Sequence, residues 1–592
     1  KTGEVKRNFP EDQSSYWFHH RCYSGRATCN YMMTSRTGIE FIDLEKERWD
    51  LNHWVRGTCL YGVMPANGLV YTPPSPCICY AESMLHSFNA FAPEGQTPSG
   101  GGLKPKERLA RGPAYGAVTT SSDLDSDWPT YRGNASRSGR TPVAVSTDLQ
   151  QVWATKLGGR LSASVIGDGH VYVSAVDQHT VCALNQKTGQ KVWTYTTGGR
   201  VDSPPTSYQG NVLFGSADGF VYCLRASDGR LAWRFQAAPI DRRIVCYEQL
   251  ESKWPVHGSV LVRDGIAHFV AGRSIFVDGG MRYYRLDALS GELLSESVLN
   301  NRNPKTGNDV HELVKWLNMP VGRSDILSSQ NERIYMRSQA FDLEGNRQAM
   351  GPKVDGPQQG KAQVGDDPHL FCPTGFLDDS WFHRTFWVYG QTWGSGWSGY
   401  FINGKYAPSG KMMTFDDESV YAFGRQPRYY KWTTPMEFRL FAAKKQWADS
   451  PETAATAKTE KAQNKHRDTS PGAVANPANY RWITEIPILV RGMAQAGDTL
   501  FVAGPRDLLD ESELKKSLDG LPDTIVSQEA ALNGDGGAKM WAISTKDGTK
   551  LAEYDLKSPP VFDGMSAAGG RLYLSTADGT VCCYGRKPQD GN

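Results

Sequence analysis

The 592-residue chain has no apolar run near the roughly 18 residues that a membrane-spanning helix needs. It has almost no charge bias. Lys plus Arg number 65 and Asp plus Glu 63, for a formal net charge of +2. Bulk nucleic-acid binding, which draws on a strong basic excess, is therefore not expected. No GxSxG, P-loop or HExxH pattern occurs, so serine-hydrolase, NTPase and zincin chemistries lack their usual residues. No CxxC pair occurs either, which leaves zinc ribbons and c-type haem attachment without ligands. The chain opens at Lys1 with neither Met nor an apolar leader. A processed or truncated start is expected, with a secreted or periplasmic destination.

Hydrophobic residues make up 39% of the chain, which suits a packed protein, and 61 Gly, 17 Trp and 26 Tyr suit many short strands and turns. The 11 cysteines read as buried small hydrophobes on strands, with a structural disulfide compatible with export.

Self-similarity is the strongest signal. The run from Val181 to Trp193 and the run from Val221 to Trp233 share apolar alternation, a polar turn closed by Gly189 or Gly229, then a strand carrying Trp. Weaker copies run 283–291, 540–548 and 571–582. Short alternating strands joined by Asp-Gly or Thr-Gly turns form antiparallel meanders. A single meander cannot bury both faces, but a radial stack of them can. The expected fold is therefore all-β. It is an eight-bladed β-propeller of four-stranded antiparallel blades with long inter-blade insertions, and seven blades is the alternative count. Blades are expected to start near residues 59, 161, 202, 256, 324, 411, 492 and 563. The chain reads as one propeller domain, 1–592, with an N-terminal segment, 1–58, whose run Gly38–Asp43 is a candidate ring-closing strand. A linker excursion is expected over 93–127 and a mobile insertion over 446–479.

The run 219–233 resembles the repeat of pyrroloquinoline-quinone-like (quinoprotein-type) propellers, and the run Asp127–Gly139 resembles their opening segment. Asn52–Gly57, Asn67–Tyr71 and Thr374–Arg384 resemble large propeller proteins of planctomycete-type bacteria. The resemblance implies a fold and one of two outcomes: quinoprotein dehydrogenases holding the quinone and Ca²⁺ on the axis, or cofactor-free scaffolds of outer-membrane protein assembly. The dehydrogenases carry vicinal cysteines early in the propeller. Here the vicinal pair, Cys582-Cys583, falls in the last strand. No cofactor is expected, and quinone with calcium is the alternative.

In a propeller, residues just before each innermost strand converge on the axis. The repeats put Arg56, Tyr61, Asp202, His257, Asp325, Arg491 and Asp563 at such positions, with Asp379, His383 and Arg384 on an aromatic stretch, 365–405. That stretch reads as a buried blade or as a ligand-facing wall, with Trp393 and Trp397 as stacking rings. His53 joins the basic-aromatic set, and His19, His20 and Arg21 form a second such patch. A His or Tyr base beside a carboxylate-neutralising Arg is the equipment for β-elimination on uronic acids. The expected function is thus a glycan-active enzyme, a polysaccharide lyase, with His257, His383, Tyr61 and Arg384 as catalytic groups. The remaining residues would bind a polysaccharide or other polar small molecule. A non-catalytic scaffold with a protein partner on a blade face is the alternative, and a quinoprotein dehydrogenase the second.

Overall fold

The computed structural model describes residues 2–9, 22–36, 38–75, 77, 79–93, 105–117, 126–315, 317–351, 363–381, 385–396, 399–425, 437–445, 479–509 and 524–586. Among these, eight antiparallel sheets follow one another along the chain, at 161–196, 206–236, 261–299, 328–341, 363–410, 412–484, 492–556 and 560–586. Each is a meander whose successive strands pair. The eighth takes its outermost strand, Leu149–Lys156, from before the first sheet, so the two ends of the ring are stitched together. The architecture is a β-propeller.

Burial explains why the strands lack simple alternation. Every residue of Leu161–Gly167, Asn211–Gly215 and Gly492–Ala496 is buried, because each sheet is covered on both faces by its neighbours. The apolar clusters accordingly lie between sheets: one joins the first, seventh and eighth, and another the second and third.

The repeated Trp and Gly are one device. The turn glycines Gly189, Gly229, Gly291 and Gly548 have φ between 69° and 76°. A Cβ on Gly229 would stand 2.6 Å from Trp193, and one on Gly291 2.6 Å from Trp233. Each indole lies flat on the turn of the next sheet, and its Nε1 donates to a carbonyl there: Trp193 to Ala226 at 2.7 Å, Trp233 to Leu289 at 3.0 Å. Trp153 and Trp482 repeat this on Gln186 and Thr545.

The segment 128–139 crosses the ring. Trp128 exchanges backbone hydrogen bonds with Ile166 of the first sheet, and Pro129 accepts from Ser207 of the second. Ala135 accepts from Ser329 of the fourth, Ser138 from Phe415 of the sixth and Gly139 from Gln495 of the seventh. Arg132 pairs with Asp563 of the eighth at 2.5 Å. A twelve-residue segment that reaches six of eight sheets lies on the axis. It closes one end of the channel at the far ends of the inner strands.

Three expectations change. The strand Ile39–Asp43 does not close the ring; it pairs with Tyr31–Thr34 and Arg48–Asn52 in a separate N-terminal sheet. The sheet near residue 59 (Met64–Ala66, Leu69–Thr72, Asn89–Phe91) also stands outside the ring, whose fifth sheet is the aromatic stretch. The excursion is partly docked: Leu109–Arg111 adds to the outer edge of the second sheet. Arg108 is buried there against Tyr284 and Glu296. The insertion at 446–478 lies outside the described residues. No helix among the described residues is long and apolar enough to cross a membrane.

Candidate functional site

Opposite the closed end, the ring opens into a cavity of about 3400 Å³. Its floor includes Tyr131 from the crossing segment, and its outer wall comes from the two N-terminal sheets. The segment 79–86 straps those sheets to the ring. Tyr80 N donates to Leu317 O at 2.8 Å, and Glu82 accepts from Ser338 N at 2.9 Å and Ser338 Oγ at 2.6 Å.

Asp202, His257 and Asp325 occupy matching places, each a few residues before the inner strand of the second, third and fourth sheets, and all line the cavity. The shared place follows from the repeat: the chain enters every inner strand from the same end of the ring. His257 Nδ1 lies 2.7 Å from Asp202 Oδ2. Asp202 Oδ1 accepts from Gly258 N at 2.8 Å and Ser203 Oγ at 2.9 Å. A carboxylate only accepts, so Nδ1 carries the proton and Nε2 is left as the basic nitrogen. Among the described residues, Nε2 has no hydrogen-bond partner. Burial works against the His257 charge, but the Asp202 carboxylate outweighs it and raises the His257 pKa. Burial likewise opposes the Asp202 charge, and His257 with the two donors more than offsets it, taking Asp202 down to about 2. The pair is an oriented acid–base unit.

Cations and carboxylates surround it. Asp325 is buried, accepts among the described residues only from the backbone N–H groups of Ile326 and Phe376, and has its pKa raised by burial against the pull of Arg337 and His257. Arg337 is held by the carbonyls of Pro373, Ser324 and Thr374. Arg323 donates to Met84 O at 3.2 Å and has no ion pair within 4 Å among the described residues. Its pKa falls to about 10 through burial and the neighbouring Arg337. Across the cavity, the buried Glu251 is shared by Arg200 and Arg273, each at 2.5 Å. Asp379 and Arg491 line the wall 3.9 Å apart, where burial lowers the Arg491 pKa.

Thus five of the residues expected at the site share one cavity: Asp202, His257, Asp325, Asp379 and Arg491. Others are placed elsewhere. Tyr61 is 76% exposed on the N-terminal module, because its stretch is not a ring blade. Arg56 and His53 are buried in that module. His53 packs between Tyr80 and His311, with ring centroids at 5.2 and 4.8 Å. Asp563 lies beneath the floor, paired with Arg132. Trp393 is buried in a cluster with Phe386 and Tyr400 rather than on the wall. The rings that line the cavity instead include Trp54, Trp254, Phe276 and Phe562, with Trp54 stacked on Phe276 at 5.5 Å. His383, Arg384 and Trp397, like His19, His20 and Arg21, lie outside the described residues. Sequence reasoning missed Arg273, Arg323 and Arg337. Arg323 is two residues from Asp325, and the same rim argument would have found it.

The vicinal cysteines do not line the cavity. Cys582 and Cys583 sit in Thr580–Arg586, buried next to the closing strand and off the cavity. Among the described residues no three His, Cys, Asp or Glu side chains converge as a metal would require.

The family described as "Outer membrane protein assembly factor BamB" matches residues 141–367. A protein of that name from Burkholderia pseudomallei is 29% identical over 141 residues, 21% of this chain and 37% of the relative. A quinoprotein ethanol dehydrogenase from Pseudomonas aeruginosa is 24% identical over 262 residues, 37% of this chain and 38% of that one. The chain thus spans less than two fifths of either relative. Among solved structures, the quinohemoprotein alcohol dehydrogenase of Comamonas testosteroni matches at 16% identity, with 79% of this chain and 82% of that one covered and a TM-score of 0.43. The repeats are of the pyrroloquinoline-quinone-like propeller type.

Proposed function

We propose that this propeller acts outside the cytoplasm on a polar, carboxylate-bearing ligand held at the ring mouth, and that its reaction is β-elimination on a uronate-containing polysaccharide. The observation that carries the reading is the His257–Asp202 pair facing a cavity that also presents Arg323 and Arg337. In this chemistry an arginine neutralises the uronate carboxylate and acidifies the adjacent C5–H. His257 Nε2 removes that proton, and the electron pair becomes a C4–C5 double bond as the C4–O bond breaks. The leaving oxygen then takes the proton from His257, whose charged form Asp202 stabilises. Trp54, partly exposed on the wall, supplies a face for a sugar ring. The test is incubation of the full chain with polygalacturonate, read by the ultraviolet absorbance of the new double bond. Activity lost in His257→Gln supports the reading, and a flat trace with intact protein overturns it.

A second reading is a scaffold for a protein partner. It is favoured by the hairpin Arg243–Cys246 and Gln249–Ser252 at the cavity rim, where Val245, Tyr247 and Leu250 are exposed. A partner captured equally well by wild type and His257→Gln would favour that reading.

A further inference from the structure

The hairpin Arg243–Cys246 and Gln249–Ser252 stands on the cavity rim as a two-stranded sheet of its own. Two strands alone are marginal in water. The ring holds this pair by its return strand. Glu251 is clamped between Arg200 and Arg273, Gln249 Oε1 lies 2.7 Å from His179 Nε2, and Ser252 N donates to Ala217 O at 2.8 Å. The tip, Tyr247-Glu248, is thereby fixed beside the cavity, which both residues line.

The tip departs from a rule that comparable turns keep. Cys246 pairs with Gln249, so Tyr247 and Glu248 form a two-residue turn, and both are left-handed, with φ of 50° and 64°. Two positive φ values also occur in the two-residue turns Asn67-Gly68, Asp168-Gly169, Gln209-Gly210, Asp264-Gly265 and Gly569-Gly570. Each of these ends in glycine, which takes this backbone freely. Among the described residues, Tyr247 and Glu248 are the only adjacent non-glycine pair with positive φ. Folding alone favours Asn-Gly at such a turn, so the strained pair points to a task at the tip.

Tyr247 has the surroundings for one. Its ring centroid lies 4.3 Å from Arg200 Cζ. Arg200 is buried and locked by Glu251, so it backs the ring as a fixed plate. Tyr247 is nonetheless 72% exposed. Its phenol is also near enough to act on the charge of Arg323. An immobilised ring with an open face, close to a carboxylate-binding cation, is a platform for a sugar. A protein partner would need about 20–30 residues a side. The exposed large apolar side chains of the hairpin are Val245, Tyr247 and Leu250 alone.

We propose that Tyr247 is a stacking subsite for a second sugar ring of the glycan whose uronate is held at His257, a role that rests on the ligand reading above. The strain at the tip is then the cost of presenting a tyrosine where a glycine-ended turn would fold more readily. The subsite binds by its ring face, so the hydroxyl is dispensable and the ring is not.

The test compares hairpins in the full chain, with His257→Gln as the background so that no ligand is consumed. Glu248→Gly relieves one strained residue and keeps the ring. Tyr247→Asn with Glu248→Gly makes the favoured Asn-Gly turn and removes the ring. The double variant is expected to exchange its amides across 243–252 more slowly than the native hairpin. It should nevertheless bind galacturonate oligomers about threefold to tenfold more weakly than Glu248→Gly in calorimetric titration. Tyr247→Phe should bind as the native hairpin does. A hairpin that is better ordered yet binds worse carries a ligand residue rather than a structural one. Equal oligomer affinity in the double variant and Glu248→Gly overturns the subsite alone and leaves the hairpin to a protein partner. A loss in Tyr247→Phe as large as that of the double variant overturns it too. No binding by either the wild type or His257→Gln overturns the ligand reading and the subsite together.

Discussion

His257 Nδ1 and Asp202 Oδ2 lie 2.7 Å apart across two neighbouring sheets, each residue reaching in from the loop that leads to its inner strand. The contact exists because the repeat enters every blade from the same end. Its chemical consequence is a fixed tautomer, with Nε2 available to a ligand.

The first prediction concerns that pair. As a base His257 works neutral, so the rate on polygalacturonate rises with pH through its raised pKa. Asp202→Asn removes the charge that raises it. The limb therefore moves to lower pH, and the maximal rate falls by about 10²-fold or more because the tautomer is no longer fixed. His257→Gln loses about 10²–10⁴-fold. Initial rates across pH measure both.

The same pair bears on stability. Its His257 contribution is present below the ordinary value of 6.5 and is lost as pH rises through the raised one. Its Asp202 contribution is present above 3.8 and is lost as pH falls toward about 2.

Glu82 predicts a separate pH effect. Burial raises its pKa from 4.5 to about 7 against the Ser338 hydrogen bonds and Arg337. The folded state therefore holds a proton that the unfolded chain releases. The resulting stability is full below 4.5 and is lost as pH rises to about 7, a change of about 3 kcal/mol. Glu82→Gln should flatten that part of the curve and melt later than wild type at pH 8. Thermal unfolding at several pH values measures it.

The indole-on-glycine contacts give a contrast between two glycines of similar φ. Gly169, at φ 72°, has nothing within 4 Å of an added Cβ, whereas at Gly229, φ 69°, Trp193 stands 2.6 Å away. Gly169→Ala should cost about 1 kcal/mol, the left-handed backbone penalty alone. Gly229→Ala should cost about 1–3 kcal/mol more, because the neighbouring sheet must move. Denaturant unfolding of both variants gives the difference.

Asp563 separates floor from wall. Its carboxylate is buried against Arg132, and Asp563→Asn leaves that guanidinium unpaired, at a cost of about 3–5 kcal/mol. Ligand affinity at the mouth should stay unchanged in the fraction that remains folded. Unfolding and calorimetric titration with galacturonate oligomers, run on the same preparation, check both.

The propeller was legible because Trp193, Gly229 and their copies recur in register, and because Asp202, His257 and Asp325 fall at equivalent places in the repeat. The residues around Tyr61 misled for a physical reason. Met64–Ala66 and Leu69–Thr72 flank an Asn67-Gly68 turn as a blade hairpin would, and local pattern does not say which sheet a hairpin joins. The aromatic stretch carries no such register. Its rings fill the space between the fifth sheet and its neighbours, and only packing reveals which face they take. Arg132 and Arg137 were invisible as a plug, since their partners, Asp563 and the Leu327 carbonyl, lie 431 and 190 residues away.

The most direct test of the account is ultraviolet absorbance during incubation of polygalacturonate with wild-type chain and with His257→Gln, both verified as folded by circular dichroism. The account predicts steady growth of the double-bond signal with wild type and a drop of at least 10²-fold in the variant. Equal traces from the two proteins, or none from either, would contradict it.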